Sequence, residues 1–140
     1  MFFEGAEKKA EIVVHPAAGS LRGRGRAFWE GVVKTARAKI LSTISTPECE
    51  AHLLSESSLF VWDDRVLLIT CGRTTLAPAV LEIVREVGAE NVAALIYERK
   101  DNIFPEYQPS NFLDDARALG AVLPGKAFRL GEEDEHHVCV

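Results

Sequence analysis

A polar tetrad stands inside an apolar, β-prone stretch of this sequence. Residues 53–61 are L-L-S-E-S-S-L-F-V, in which Ser55, Glu56, Ser57 and Ser58 separate two apolar ends. Hydroxyls and a carboxylate cost free energy inside a sheet unless they are paired or used, so such a conflict often marks a functional site. The alternative is a tight hairpin or bulge with the tetrad solvated at its tip.

The cysteines and histidines offer further chemistry. Cys71 precedes a glycine in T-C-G-R-T-T, and the residues alone favour a small buried side chain before a turn there. The three cysteines show no C-x-x-C spacing, which argues against a disulfide framework or a zinc site. His136 and His137 follow an acidic run, but neighbours on a strand point to opposite faces and do not converge on one metal ion.

Three strings in order resemble one protein family. They are F-F-E-G-A-E-K at 2–8, L-S-E-S-S-L-F-V at 54–61 and T-C-G-R-T-T at 70–75, and the run 99–112 also matches. Together they resemble the eukaryotic-type S-adenosylmethionine decarboxylases, which are pyruvoyl enzymes of polyamine synthesis. The resemblance covers nearly the whole chain, as one domain over residues 1–140, and corresponds to the N-terminal half of the family only.

The resemblance implies a cofactor that the chain makes from itself. Decarboxylation leaves a carbanion that needs an electron sink, which a pyruvoyl group provides through a Schiff base with the substrate amine. The Ser57 hydroxyl would attack the carbonyl of Glu56 in an N-to-O acyl shift, and β-elimination would then cut the zymogen. The products would be a β chain, 1–56, and an α chain, 57–140, that begins with the pyruvoyl group.

The resemblance also assigns roles around that centre. Cys71 would return a proton to the substrate α-carbon, and the ring of Phe3 would stack on the adenine. Glu4 and Glu7 match active-site carboxylates, and Glu4 together with Ser58 is expected to contribute to substrate binding.

A further acid matches a regulatory position of the family. Glu11 corresponds to a carboxylate of the site at which putrescine activates some members. From the residues alone, Glu4, Glu7 and Glu11 could equally be solvated charges on an edge strand, and this interpretation is favoured for Glu11.

Several groups of the family pattern have no counterpart here. In the duplicated enzymes a serine, a histidine, a second stacking phenylalanine and a ribose-binding glutamate come from the second half. Short prokaryotic relatives carry the histidine a few residues after the cut, where this chain has Trp62. His52 is the only histidine close to the predicted cut in the sequence. Because side chains alternate along a strand, the sequence leaves open whether its ring lies on the same face as Ser57. We therefore expect a second sheet-packing subunit, either in a homodimer or as a separately encoded partner that resembles the C-terminal half.

Two other functions remain open at this stage. One keeps the pyruvoyl group but uses ornithine or arginine as the substrate, since fold does not fix specificity. The other is a non-catalytic regulatory subunit of a heteromeric decarboxylase. The retained Glu56, Ser57 and Cys71 argue against the regulator, and Phe3 with Glu4 favours S-adenosylmethionine as the substrate.

Composition indicates an ordinary globular domain. The chain has 140 residues, of which 47% are hydrophobic and 26% charged, and its net charge is −5. The only basic run, 22–26, is short and glycine-rich, which indicates a loop and no nucleic-acid partner. Apolar runs stay well below the about 20 residues of a membrane span. We expect no membrane partner and a cytoplasmic location.

The predicted fold is α+β. Strands are predicted at 2–14, 40–45, 50–56, 58–62, 66–70, 92–97, 126–130 and 137–140, and helices at 28–40, 76–87 and between 110 and 120. Thr74 or Thr75 is the predicted N-cap of the second helix, and Gly88 its end. The order predicts an antiparallel β-sheet with two or three helices on one face. Its other face requires a cover, which the resemblance supplies as half of an αββα four-layer sandwich.

Overall fold

The computed structural model describes residues 7–55, 57–70, 75–100, 117–118, 127–132 and 138–139. The strands are β1 Glu7–Val14, β2 Ile40–Ser45, β3 Glu50–Leu54, β4 Ser57–Val61, β5 Arg65–Thr70, β6 Val92–Lys100, β7 Ala127–Glu132 and β8 Val138–Cys139. Two α-helices lie between them, α1 Arg26–Thr35 and α2 Ala77–Val87. Short 3-10 turns lie at Pro16–Ala18, Arg22–Arg24 and Ala89–Asn91.

The strands form one sheet in the order β2-β3-β4-β5-β1-β6-β7-β8. From β2 to β6 all neighbours are antiparallel, which confirms the predicted α+β class and antiparallel sheet. Strand β7 joins β6 in parallel, which the sequence did not predict. A parallel pair needs a crossover connection, and residues 117–118 within that connection are helical. The rest of the predicted third helix lies outside the described residues.

One face of the sheet, here called the covered face, packs against both helices. Inward-facing apolar residues of β1, β3, β4, β5 and β6 are buried with α1 and α2 in a single hydrophobic core. Trp29 of α1 and Ile83 of α2 are almost fully buried in it. Side chains of this size each contribute about 1.5–3 kcal/mol by burial. Neither described α-helix is long and apolar enough to cross a membrane.

The opposite face, here called the open face, has no layer over it within the described part of the chain. Its central positions are half-buried and mostly apolar: Val13, Phe60, Leu67, Ile69, Ala94 and Ile96. Near the β2 edge, Ile44 is 68% exposed and Leu53 is 55% exposed. A contiguous apolar surface of this kind is typical of a surface that contacts another layer or partner.

Helix α1 is shorter than the periodicity predicted. The prediction of 28–40 is wrong at its end, because the helix stops at Thr35 and Ile40 already begins β2. The N–H groups of Ala36 and Ala38 both donate to the carbonyl of Val33, and Arg37 then takes a positive φ of 62°. Ile40 lies at helical spacing from α1 only by coincidence, since it is the first residue of a strand.

Helix α2 matches its prediction except at the cap. Its periodicity predicts Leu76, Val80, Ile83, Val84 and Val87 as inward residues, and all five are buried. Its predicted end at Gly88, with φ 87°, is confirmed. Thr75 does not cap it, because its hydroxyl donates to the carbonyl of Thr35 at 3.0 Å and its N–H donates to Ala36. Thr75 therefore joins the end of α1 to the start of α2. Thr74, the other predicted cap, lies outside the described residues.

A polar cluster fastens the β2-β3 hairpin to the preceding loop. His52 is 3% exposed, and its Nδ1 lies 2.8 Å from Thr43 Oγ1 on β2. Its Nε2 lies 3.7 Å from one oxygen of Glu50, whose other oxygen lies 3.7 Å from Arg22 Nε. Arg22 also donates to two carbonyl oxygens of the β2-β3 turn. The imidazole is thus part of the packing between strand, turn and loop.

Burial lowers the pKa of His52 from its ordinary value of 6.5. The carboxylate of Glu50 opposes this shift, and the charge of Arg26 adds to it. Because the folded-state pKa is depressed, the unfolded chain binds more protons than the folded chain below pH 6.5. The stability contributed by neutral His52 is complete above that pH and is lost as the pH falls towards the folded-state pKa.

Replacing Gly25 and Gly31 by alanine should change stability in opposite directions. Gly25, at the start of α1, has φ 85° and ψ 163°, a region that only glycine adopts without strain. Gly31 lies inside α1, and a Cβ there meets nothing within 4 Å. We expect Gly25→Ala to lower the free energy of unfolding by about 1 to 3 kcal/mol and Gly31→Ala to raise it by about 1 kcal/mol. Denaturant unfolding of both variants measures this, and equal effects would contradict the description of α1.

Acidification should weaken the fold through His52. We expect the free energy of unfolding to fall between about pH 7 and about pH 5.5, and to fall less in His52→Asn, which keeps a polar atom near the position of Nδ1 but does not titrate. His15→Gln, at an exposed position, is the control and should leave the wild-type slope unchanged. Denaturant unfolding at several pH values measures both slopes, and a slope in His52→Asn equal to that of the wild type would show that His52 does not carry the effect.

Candidate active site

The polar tetrad forms a tight hairpin. Leu54, the last residue of β3, stands opposite Ser57, the first residue of β4, so only Ser55 and Glu56 lie in the turn. The turn is held to the chain entering β2, because the N–H of Ser55 donates to Lys39 O and the N–H of Lys39 donates to Ser55 Oγ. The hairpin interpretation of the tetrad is therefore correct for its backbone. Glu56 lies outside the described residues.

The solvated interpretation fails for Ser57. Its side chain points into the covered face and is 9% exposed. Its Oγ is buried and makes no hydrogen bond within the part of the chain that the structure describes. A buried hydroxyl without a partner costs about 1–3 kcal/mol. This hydroxyl is therefore buried at a cost in stability.

Ser57 belongs to a row of polar side chains across three strands. Thr70 stands opposite Ser57, and Lys8 stands opposite Thr70 on its other side. Thr70 and Lys8 are both 0% exposed. Thr70 Oγ1 is, like Ser57 Oγ, buried without a hydrogen bond among the described residues. We call Ser57, Thr70 and Lys8 the polar row.

Thr70 and Lys8 were not among the site residues predicted from the sequence. The alternation along β5 could have identified Thr70, because Val66, Leu68 and Thr70 occupy successive inward positions and only Thr70 is polar. Lys8 likewise stands in phase with the inward residues Ala10 and Ile12 of β1. Recognising this required the register of the strands in addition to their periodicity.

His52 lies on the same face as Ser57, so the doubt about its side was unfounded. It stands opposite Leu59, two residues along β4 from Ser57. However, its Nδ1 contacts Thr43 and its Nε2 faces Glu50, and neither nitrogen bonds Ser57. His52 therefore acts in the packing of the hairpin, and the structure gives it no contact with the candidate nucleophile.

Ser58 and Glu11 lie on the open face, away from the Ser57 hydroxyl. Ser58 stands between Leu53 and Ile69 and borders a shallow depression with Ile44 and Phe60. A carboxylate oxygen of Glu11 lies 3.7 Å from Arg65 Nη1. The sheet thus separates the side chains of Ser57 and Ser58, although the two residues are adjacent in the chain.

The remaining predicted site residues cannot be placed. Phe3, Glu4, Glu56 and Cys71 lie outside the described residues. Only the backbone of Glu7 is described, in β1 opposite Lys100. The pair at 136–137 is outside as well. Among the residues that the structure describes, no three histidine, cysteine, aspartate or glutamate side chains lie close enough to hold a metal ion.

The chemistry available at the polar row is that of a buried nucleophile next to its own backbone. The Ser57 hydroxyl makes no hydrogen bond to a described residue. Apart from Thr70, its neighbours on the covered face along β3, β4 and β5 are the buried Leu54, Leu59 and Leu68, so charge that develops there is screened less than in water.

Comparison with known proteins identifies the family. The family model for adenosylmethionine decarboxylase matches residues 1–140. The chain is 36% identical to the S-adenosylmethionine decarboxylase proenzyme of Trypanosoma cruzi over 96% of its own length and 39% of that protein. It is 35% identical to the proenzyme of Xenopus laevis over 93% of its length and 43% of that protein. The proenzyme of Caenorhabditis elegans is 37% identical, with 93% and 39% covered.

The aligned region covers nearly all of this chain but less than half of each relative. The chain spans about two fifths of the length of these relatives, while more than nine tenths of its own residues align with them. Because the family model covers the chain from the first residue to the last, the protein belongs to the adenosylmethionine decarboxylase family.

Proposed function

We propose that this protein is a decarboxylase zymogen that cuts itself between Glu56 and Ser57 and then decarboxylates S-adenosylmethionine for spermidine synthesis in the cytoplasm. The observation that carries the proposal is the Ser57 hydroxyl, buried without a partner among the described residues at the end of a two-residue turn. The relatives named above are called proenzymes, which agrees with a processing step.

The proposed cut uses groups of the chain itself. The Ser57 oxygen attacks the carbonyl carbon of Glu56, the C–N bond breaks, and the hydroxyl proton ends on the nitrogen of Ser57, which leaves an ester. Removal of the proton on the α-carbon of Ser57 then breaks the bond between Cβ and Oγ. Residues 1–56 depart with a carboxylate. The dehydroalanine that remains tautomerises to an imine, which water hydrolyses to a ketone and ammonia.

The site fits a pyruvoyl group formed at Ser57, because a small polar residue is already held inside the covered face. When present, this group supplies the electron sink that decarboxylation requires. We assign Cys71 as the acid that returns a proton to the substrate α-carbon, and Phe3 as the ring that stacks on the adenine. Glu4, Glu7 and Ser58 are assigned to the active site and substrate binding on the match of their motifs.

The open face supports the proposed second layer. Its half-buried apolar centre and its exposed Ile44 and Leu53 would be covered by a second sheet. We propose that this sheet belongs to a C-terminal-half-like segment or subunit, or to a second copy of this chain. The groups of the family pattern that residues 1–140 lack would come from it.

Replacing Ser57 by alanine should abolish the cut. We expect the wild-type protein to yield two fragments that part between Glu56 and Ser57, whereas Ser57→Ala remains intact because it lacks the attacking oxygen. Ser55→Ala, in the same turn, is the control and should be cut, since its hydroxyl only accepts a bond from Lys39 N–H. Mass spectrometry of the purified protein, alone and co-expressed with a C-terminal-half-like chain, measures the products.

The outcomes separate the alternatives. Intact wild-type protein under both conditions would contradict the proposal and leave a regulatory subunit as the better account. Complete cleavage of the protein alone would remove the need for a partner in processing. Release of carbon dioxide from ornithine or arginine, with none from S-adenosylmethionine, would be consistent with the proposed pyruvoyl cofactor but would contradict the proposed substrate.

A further inference from the structure

We infer that Thr70 is a positioning residue for the self-cleavage: its hydroxyl oxygen accepts a hydrogen bond from the Ser57 hydroxyl and so turns a lone pair of Ser57 Oγ towards the carbonyl that it attacks. This inference rests on the cleavage proposed above. It assigns a role to a side chain of β5, outside the polar tetrad in which the cut occurs.

Register brings the two hydroxyls together. Ser57 and Thr70 are direct partners in the antiparallel pair of β4 and β5, and both side chains point into the covered face. The Cβ atoms of directly opposed residues lie about 4.5–5.5 Å apart. At that separation a rotation about χ1 between staggered positions is sufficient to bring one hydroxyl within hydrogen-bonding distance of the other.

The surroundings leave Thr70 as the natural partner. On its other side Ser57 faces Leu54, and the next inward pair along β4 and β5 is Leu59 with Leu68. All three leucines are buried and have no polar side-chain atom. Thr70 is therefore the hydroxyl nearest to Ser57 among its described neighbours on the covered face.

Energetics favours the pairing. Each hydroxyl is buried without a hydrogen bond among the described residues, at a cost of about 1–3 kcal/mol for each group. A single bond from Ser57 to Thr70 satisfies the donor of one and an acceptor site of the other. Thr70 also stands opposite the buried Lys8 in the pairing of β5 with β1.

The proposed role is orientation and not proton transfer. A threonine hydroxyl is not a base at neutral pH, and the serine proton still ends on the departing nitrogen. What Thr70 supplies is the direction of the attacking lone pair, and misplacement of a reacting group by about 1 Å can cost 100-fold in rate. Thr70 should therefore act on the formation of the ester and have little effect on its breakdown.

The test compares four substitutions in the full chain, under the conditions in which the wild type is cut. Thr70→Val and Thr70→Ala remove the hydroxyl, and Thr70→Ser keeps it. Thr43→Val is the control, since it also removes a threonine hydroxyl from the covered face, at the His52 contact on β2. We expect Thr70→Val and Thr70→Ala to slow the cut by about 10- to 100-fold, and Thr70→Ser and Thr43→Val to keep a rate close to that of the wild type. Mass spectrometry over time gives the rates.

Two readouts distinguish positioning from a structural effect. Thr70→Ser and Thr70→Ala differ by one oxygen, so equal rates for this pair would overturn the inference even if Thr70→Val failed to fold. Hydroxylamine cleaves esters and leaves amides intact. It should therefore not restore the cutting of Thr70→Ala, in which the ester forms slowly, and rapid cutting by hydroxylamine would contradict the assigned step.

The two proposals fail in different ways. A wild-type protein that is never cut overturns the proposed function and this inference together. A wild type that is cut, with Thr70→Ala cut equally fast, overturns only the role of Thr70.

Discussion

The register between β3, β4 and β5 is the constraint on which this structure depends. It places Ser57 opposite Leu54 on one side and Thr70 on the other, closes the turn with two residues, and points the Ser57 hydroxyl into the core. Because side chains alternate along a strand, a slip by one residue would expose Ser57 and bury Ser58 in its place. The apolar partners along the same strands, Leu59 with Leu68, hold the register, since that slip would also turn both leucines out of the core.

The sheet gives its two faces different tasks. The covered face combines the core with the polar row, so the free energy gained by burying α1 and α2 offsets the cost of the unpaired Ser57 and Thr70 hydroxyls. The open face carries an apolar centre together with Glu11 and Ser58. In the proposed function the pyruvoyl group forms from Ser57 of the covered face, and the second sheet packs on the open face. In that proposal the substrate would be held at the edge of the sheet where β4 begins and β5 ends.

Patterns within single segments predicted most of the fold. Alternation and turn residues gave β2, the β4-β5 hairpin and the core face of α2, because these depend on neighbours in the chain. The end of α1, the use of Thr75 and the parallel pairing of β7 depend on distant contacts, so periodicity did not indicate them. For the candidate site, the sequence motifs identified Ser57. Thr70 and Lys8 were identified only from the pairing register of β1, β4 and β5, which places them in one row with Ser57. Family membership came from motifs, and no physical pattern in the chain specified a nucleoside substrate.

The central claim is that residue 57 ceases to be a serine. Phenylhydrazine reacts with ketones and leaves amides and alcohols unmodified, so treatment of the purified protein followed by peptide mass spectrometry locates a pyruvoyl group directly. The account predicts one label at the first residue of a fragment that begins at position 57. An unlabelled protein in which Glu56 and Ser57 are still joined, even with a partner layer present, would contradict it.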